Sequence, residues 1–362
     1  MRRPKKQPYL MRRNALRRHL EENKIDAYVI FDQSDLFYLT AFPSEGCFAL
    51  VSAQGDVLFA PALLAGQARD LTANDKIEVR AEAGLLKSLG QLLLKSKVKR
   101  IGYDPSKVTV ELFHQLQSLM KSEWIELPGF ILKQRMIKDA LEIQSIERAC
   151  RITATASKIC FKNLRAGLSE KELAYNLESF FHRLGSPKIA FETIVAFNEH
   201  ASFPHHVVTD KKLMNNSTVL TDLGCRIDGY CSDLTRTTFF GKISSKFAKI
   251  YDIVRRSQAA GMAAIRDGVT AGEIDYICRS LIKDEGYEDF FTHGTGHGVG
   301  IDIHEPPRLG INSKEVLKAG MIVTVEPGIY LPGEFGVRIE DTLLVTKNGS
   351  RILTVANEKE GL

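Results

Sequence analysis

Apolar positions in this chain come first in short blocks and later in long helical stripes. Residues 10 to 23 are spaced as a helix, DAYVIFD (26–32) reads as a buried strand, and SDLFYLTAF (34–42) as a short helix or loop. CFALVSAQGDVLFAP (47–61) predicts a hairpin about Gln54-Gly55. KIEVRA, a helix to about residue 96 and KRIGYD continue the alternation, so the first ~125 residues read as an α/β domain. Trp124 and Pro128 precede a boundary, dividing the chain into 1–128 and 129–362.

Beyond that boundary the period changes. Leu141, Ile143, Ile146, Ala149, Ile152 and Ala156 recur at helical spacing over 138–164. A second helix follows Ser169, with Glu172 three residues on as a capping box. Two more helices are expected near 243–266 and 271–286, separated by strand-rich runs. This gives an α+β second domain whose helices pack outside a strongly curved sheet. Low-complexity segments and short repeats are absent.

The strand-rich runs carry the chemistry. In TVLTDLGCRIDGYCSDLTRT (218–237), Asp228-Gly229 lies between runs of strand character, a strong hairpin signal. A two-residue turn there sets Asp222 opposite Thr235 and Asp233 opposite Gly224, which makes the two carboxylates diagonal neighbours on one sheet face. The device recurs downstream: Glu326 ends the apolar run MIVTVEPG, and Glu340 lies in GVRIEDTLLV beyond a turn built from Pro332 and Gly333. The two hairpins hint at an internal duplication. His297 lies in HGTGHGVG, whose glycines make a helix improbable despite the four-residue spacing from His293, so a loop or irregular strand is expected. Taken singly, an Asp beside a turn is most often a solvated turn former and a lone His a structural one. The joint pattern outweighs that reading, because carboxylates inside apolar strands are costly unless paired or metal-bound. Four carboxylates and one imidazole suit a pair of divalent ions, and hard oxygen donors favour Mn(II), with Co(II), Fe(II) or Zn(II) as other occupants.

DLGCRIDGYCSDLTRT, HGTGHGVGIDIHE, VEPGIY and GVRIED, in this order and spacing, resemble the dinuclear metallopeptidases of the pita-bread fold, the group of aminopeptidase P, prolidase and methionine aminopeptidase. The resemblance covers roughly residues 135–355, and the preceding segment resembles the N-terminal domain of aminopeptidase P and prolidase. It implies a pita-bread catalytic domain with a smaller α/β N-terminal domain. It also implies two divalent metal ions per subunit, ligated by Asp222, Asp233, His297, Glu326 and Glu340, in a homodimer. Relatives that have lost these ligands, such as creatinase, do not use metal; here all five are present. His205, in FETIVAFNEHASFPHH, matches the Pro-His motif whose imidazole contacts substrate or the developing oxyanion. Phe197-Asn198 stand where Ser-Gly is common, and His206 stands where Gly or Ala is frequent, so either His205 or His206 can take that role. His293 and His304 match positions lining the substrate pocket. Arg338 shares a strand face with Glu340, where it would orient a carboxylate, bind substrate or form a structural pair. With Glu326 as general acid/base, the expected activity is Xaa-Pro aminopeptidase on peptides with proline second. The alternatives are Xaa-Pro dipeptidase (prolidase) and an inactive pita-bread binding protein.

Composition limits the remaining classes. At 362 residues, 44% hydrophobic and 26% charged, the chain has the make-up of a globular protein of two domains. No run of 18 or more apolar residues exists, so no membrane-spanning helix is expected. The net charge of +5 is local: residues 1–20 hold eight Lys/Arg and no acid. That segment lacks an apolar core, so a secretory signal is not expected; a tail leading into a cationic helix is the plain reading, and nucleic-acid binding the less favoured one. Six cysteines without a CxxC spacing fit reduced thiols in a cytoplasm.

Overall fold

The structure is a computed structural model that describes residues 8–356 and divides into two compact units, 1–135 and 136–362. In the first unit a six-stranded mixed sheet is built from Ala27–Ile30, Phe48–Ser52, Gly55–Ala60, Glu78–Ala81, Arg100–Tyr103 and Glu123–Glu126. Helices Leu85–Lys95 and Val110–Leu119 bury Leu89, Leu93 and Leu116 against Val29, Leu50, Val57 and Phe59. SDLFYLTAF resolves to the helix Gln33–Thr40, capped by the Asp32 side chain on the Asp35 N–H.

The hairpin turn lies one residue earlier than expected. Ser52 pairs with Gly55, so Ala53-Gln54 form the turn and Gly55 opens the returning strand. Neither turn residue takes a positive φ, so no turn-forming residue type marks the place, and Gly55 draws the eye downstream. The cationic first helix, Pro8–Glu22, spends its charge internally: Arg13 is fully buried between Asp56 (2.7 Å) and Asp75 (2.9 Å), and Arg17 lies 2.6 Å from Asp56. The more basic stretch before it, residues 1–7, falls outside the described residues.

The second unit is built from two similar halves. Helices Ala140–Lys162 and Glu170–Arg183 cover the hairpin of Ser217–Leu223 and Leu234–Phe240, burying Ala149, Leu173, Leu177 and Phe181 against Val195, Val219 and Leu223. Helices Ser245–Ala264 and Ala271–Asp284 cover the hairpin spanning Ile322–Thr346, burying Val254, Ile274 and Cys278 against Val323, Val325, Ile329 and Val337. The second helix of each half starts in a capping box, Ser169 with Glu172 and Thr270 with Glu273.

The main-chain bonds before these caps match pair by pair. Gly167, Leu168 and Glu170 bond Leu213 and Lys211, while Gly268, Val269 and Ala271 bond Leu317 and Glu315. Asp222 then follows Leu213 by the same nine residues that separate Glu326 from Leu317. This is the duplication that the two carboxylate hairpins hinted at, written in backbone geometry. Among the described residues, no helix is long and apolar enough to cross a membrane.

Candidate metal centre

Two hairpin registers converge on one point. In the first, Asp228 (φ 49°) and Gly229 (φ 87°) form the two-residue turn, Ile227 pairs with Tyr230, and Asp222 pairs with Thr235 as the sequence register required. In the second, Val325 pairs with Asp341 and Gly328 with Arg338, so the same register sets Glu326 directly opposite Glu340 on one face. The halves are stitched along this line. The Glu340 N–H donates to the Thr235 carbonyl (3.1 Å), Thr235 Oγ1 donates to Glu340 Oε2 (2.8 Å), and Thr342 Oγ1 donates to the Asp233 carbonyl (2.8 Å).

His297 reaches the same place from the strand Gly296–Gly298, second in a five-stranded sheet, with a bulge between His297 and Gly298. A Cβ on Gly296 would run into the Thr324 carbonyl oxygen, so only glycine lets the histidine strand come this close to its neighbour. His297 Nε2 lies 3.3 Å from Glu326 Oε1 and 3.5 Å from Asp233 Oδ2. One ligand atom each from Asp233, His297 and Glu340 falls within 4.8 Å of the others.

The electrostatics of this cluster are those of a cation site. Burial, then repulsion from Glu340, Asp222 and Glu326, raises the Asp233 carboxyl well above its ordinary value. Burial, then Glu326 and Asp222, raises Glu340 in the same way, and burial pushes Glu326 up to about 8 against the opposing charge of Arg338. Burial keeps His297 neutral by lowering its pKa, which leaves a nitrogen lone pair for ligation. Asp222 Oδ1 and Glu340 Oε1 are buried without a hydrogen-bond partner among the described residues. Crowded carboxylates with orphaned oxygens and a neutral imidazole fit divalent cations.

Arg338 ties the cluster to the rest of the pocket. Its Nη2 donates to Asp222 Oδ2 (2.7 Å), Nε to Thr235 Oγ1 (3.1 Å), and Nη1 to Tyr330 OH (2.7 Å) and the Pro204 carbonyl (3.3 Å). Tyr330 OH also bonds His293 Nε2 at 2.8 Å, and burial, helped by Arg338, lowers the His293 pKa to about 4. His304 sets its ring edge-on to His297, with centroids 4.4 Å apart, and is exposed. His205 is exposed and close enough for its charge to disfavour protonation of both His293 and His304. His206 turns the other way, with Nε2 2.9 Å from Glu170 Oε2.

Residues 144–347 match metallopeptidase family M24, and residues 12–137 match the creatinase/prolidase N-terminal domain. The chain belongs to metallopeptidase family M24. It is 34% identical over 344 residues to an Xaa-Pro dipeptidase of Pyrococcus furiosus, covering 95% of this chain and 97% of that one. Among solved structures it resembles an Xaa-Pro dipeptidase from Bacillus anthracis with a TM-score of 0.92 (32% identity, 96% of this chain and 98% of that one). It also resembles an X-Pro aminopeptidase from Thermotoga maritima with a TM-score of 0.89 (30% identity, 95% and 98%). This M24 chain is thus a metal-dependent hydrolase with the two-domain architecture expected from its motifs.

Two members of the M24 pocket escaped the sequence reading. Thr235 stands opposite Asp222 in the very register drawn from Asp228-Gly229, yet a hydroxyl among carboxylates carries no signal by itself. Tyr330 closes the motif VEPGIY; its buried hydroxyl, held between Arg338 and His293, needs the second hairpin folded before it can be seen.

Proposed function

We propose that this M24 peptidase is an Xaa-Pro dipeptidase, hydrolysing the bond between a residue and a C-terminal proline. The observation that carries hydrolysis is the facing of two carboxylate hairpins, with Asp222 and Glu340 each keeping a buried oxygen free of hydrogen bonds among the described residues. Asp222, Asp233, His297, Glu326 and Glu340 would hold two divalent ions, Mn(II) by their oxygen-rich character, supplying Lewis acidity toward a scissile carbonyl and a nucleophile at neutral pH. Glu326 takes the proton of the attacking water on its carboxylate and returns it to the leaving proline nitrogen. His205, exposed beside His293 and His304, donates to the carbonyl oxygen as negative charge develops there. Arg338 orients Asp222 and, through the Pro204 carbonyl, the segment bearing His205.

The preference for a dipeptide over a longer chain rests on the Xaa-Pro dipeptidases of Pyrococcus furiosus and Bacillus anthracis. The similarity to the Thermotoga maritima X-Pro aminopeptidase keeps the aminopeptidase reading as the second one. Six free, buried cysteines support a reducing, cytoplasmic setting. The deciding experiment compares hydrolysis of Gly-Pro with that of a longer peptide carrying proline second, both with Mn(II). Preference for Gly-Pro supports the dipeptidase, preference for the longer peptide replaces it with the aminopeptidase, and no turnover of either rejects Xaa-Pro hydrolysis.

A further inference from the structure

Glu170 is the first residue of its helix and fully buried, and among the described residues the hydrogen bonds its side chain receives come from the segment 197–209 that carries His205. Its Oε1 accepts from the Phe197 N–H (2.9 Å) and its Oε2 from the Thr209 N–H (3.0 Å) and hydroxyl (2.6 Å). Those three donors take three of the roughly four lone-pair directions of the carboxylate, two of them on Oε2. Two imidazoles are then added, His200 Nδ1 at 2.9 Å from Oε1 and His206 Nε2 at 2.9 Å from Oε2, with ring centroids 4.4 Å apart.

The fold itself does not demand this arrangement. In the matching half the same main-chain bonds form around Ala271, which has no carboxylate to offer. His200 and His206, at 25% and 9% side-chain exposure, leave a side open to an entering ion, whereas the Glu170 side chain is sealed at 0%.

We propose that Glu170, His200 and His206 form a further divalent metal site, of zinc-type chemistry, separate from the carboxylate centre and fastening the two ends of the His205 segment. One ligand atom from each of the three residues lies within 4.8 Å of the others. Two imidazole nitrogens and one carboxylate oxygen are the donors that Zn²⁺, and more tightly Cu²⁺, select over Mn²⁺. Phe197 and Thr209 hold the carboxylate from behind, as orienting bonds do at metal sites. On binding, a neutral imidazole moves its hydrogen to the opposite ring nitrogen and a protonated one releases it. The proposal does not depend on which peptide the enzyme cleaves.

The test uses the full chain with the carboxylate centre disabled by Asp233→Asn and Glu340→Gln, stripped of metal and then equilibrated with Zn²⁺ alone. One zinc per chain should remain after gel filtration, and X-ray absorption at the zinc edge should report two imidazoles. Adding His200→Asn and His206→Asn should remove that zinc. Retention of no zinc by the first protein, or of equal zinc by the second, overturns the site. Should the combined variants fail to fold, the zinc content of the otherwise unaltered chain is compared with that of His200→Asn/His206→Asn. A loss of one equivalent supports the site, and no loss overturns it.

Discussion

Arg338 and Asp222 meet at 2.7 Å, Nη2 to Oδ2, within a pocket where the guanidinium also holds Tyr330 and the Pro204 carbonyl. One planar fork therefore sets the angle of a proposed ligand and the position of the residue next to His205. Lysine keeps the charge but gathers its three donors on one nitrogen, and cannot span Asp222, Thr235, Tyr330 and the Pro204 carbonyl as the guanidinium does. Arg338→Lys should lower metal affinity or turnover by about 10–100-fold, the range typical of residues that orient ligands. Metal titration and steady-state kinetics on the same preparation read both; a variant with both unchanged would show that the fork orients nothing.

Asp233→Asn and Glu340→Gln should each cut activity by several orders of magnitude while leaving the protein folded. Each carboxyl is buried among others that disfavour its charge, and the amide keeps its shape and an oxygen able to accept the bond that Glu340 takes from Thr235, so the metal-free fold should be retained. Circular dichroism and thermal melting beside the assay separate the outcomes. Global unfolding of either variant would mean the carboxylate is structural, and full activity would remove it from the centre.

Burial of these groups gives the metal-free protein a pH signature. Glu326 is raised in the folded state to about 8 from an ordinary 4.5, so its stabilising contribution is full below about 4.5 and is lost as pH rises through about 8. His293 works in the opposite sense: lowered to about 4 from 6.5, it contributes fully above 6.5 and loses that contribution as pH falls through about 4. Between pH 6.5 and 8 the His293 contribution approaches its full size while that of Glu326 is being lost. The melting temperature of chelator-treated protein should fall across that window, and added Mn(II) should flatten the fall while restoring activity. A metal-stripped enzyme that kept full turnover would dispose of the metal centre altogether.

His205→Ala should reduce kcat far more than it reduces metal content, by ~10²–10³ if its imidazole donates to the developing oxyanion. His206→Ala is the contrast, since His206 Nε2 is turned toward Glu170 rather than toward His293 and His304. If the His206 variant loses kcat and the His205 variant does not, the two roles have been exchanged.

What could be read from the residues alone divides along physical lines. The Asp228-Gly229 turn was legible because two positive φ angles demand such residues, and the turn then fixed the partner of Asp222 by counting. The Ala53-Gln54 turn was misplaced by one residue because it makes no such demand. Helices Ala65–Thr72 and Val110–Leu119 passed unread, the first having only Ala68 and Thr72 buried and the second only Leu116, too few positions to set a period. The opposite headings of His205 and His206 depend on Glu170, a residue 35 positions before His205, which no local pattern links to it.

The paired halves bear on what a smaller protein could do. A single helix-pair-and-hairpin unit carries two acids on one face and no partner surface to close over them, so alone it would present an open, self-repelling patch. Two copies set face to face would enclose four acids between them. The second unit of this chain is in that sense a dimer threaded onto one polypeptide, and the linkage lets its two members diverge. One copy supplies Glu170 and the His205 segment, the other His297 and Arg338, a division of labour that two identical subunits could not sustain.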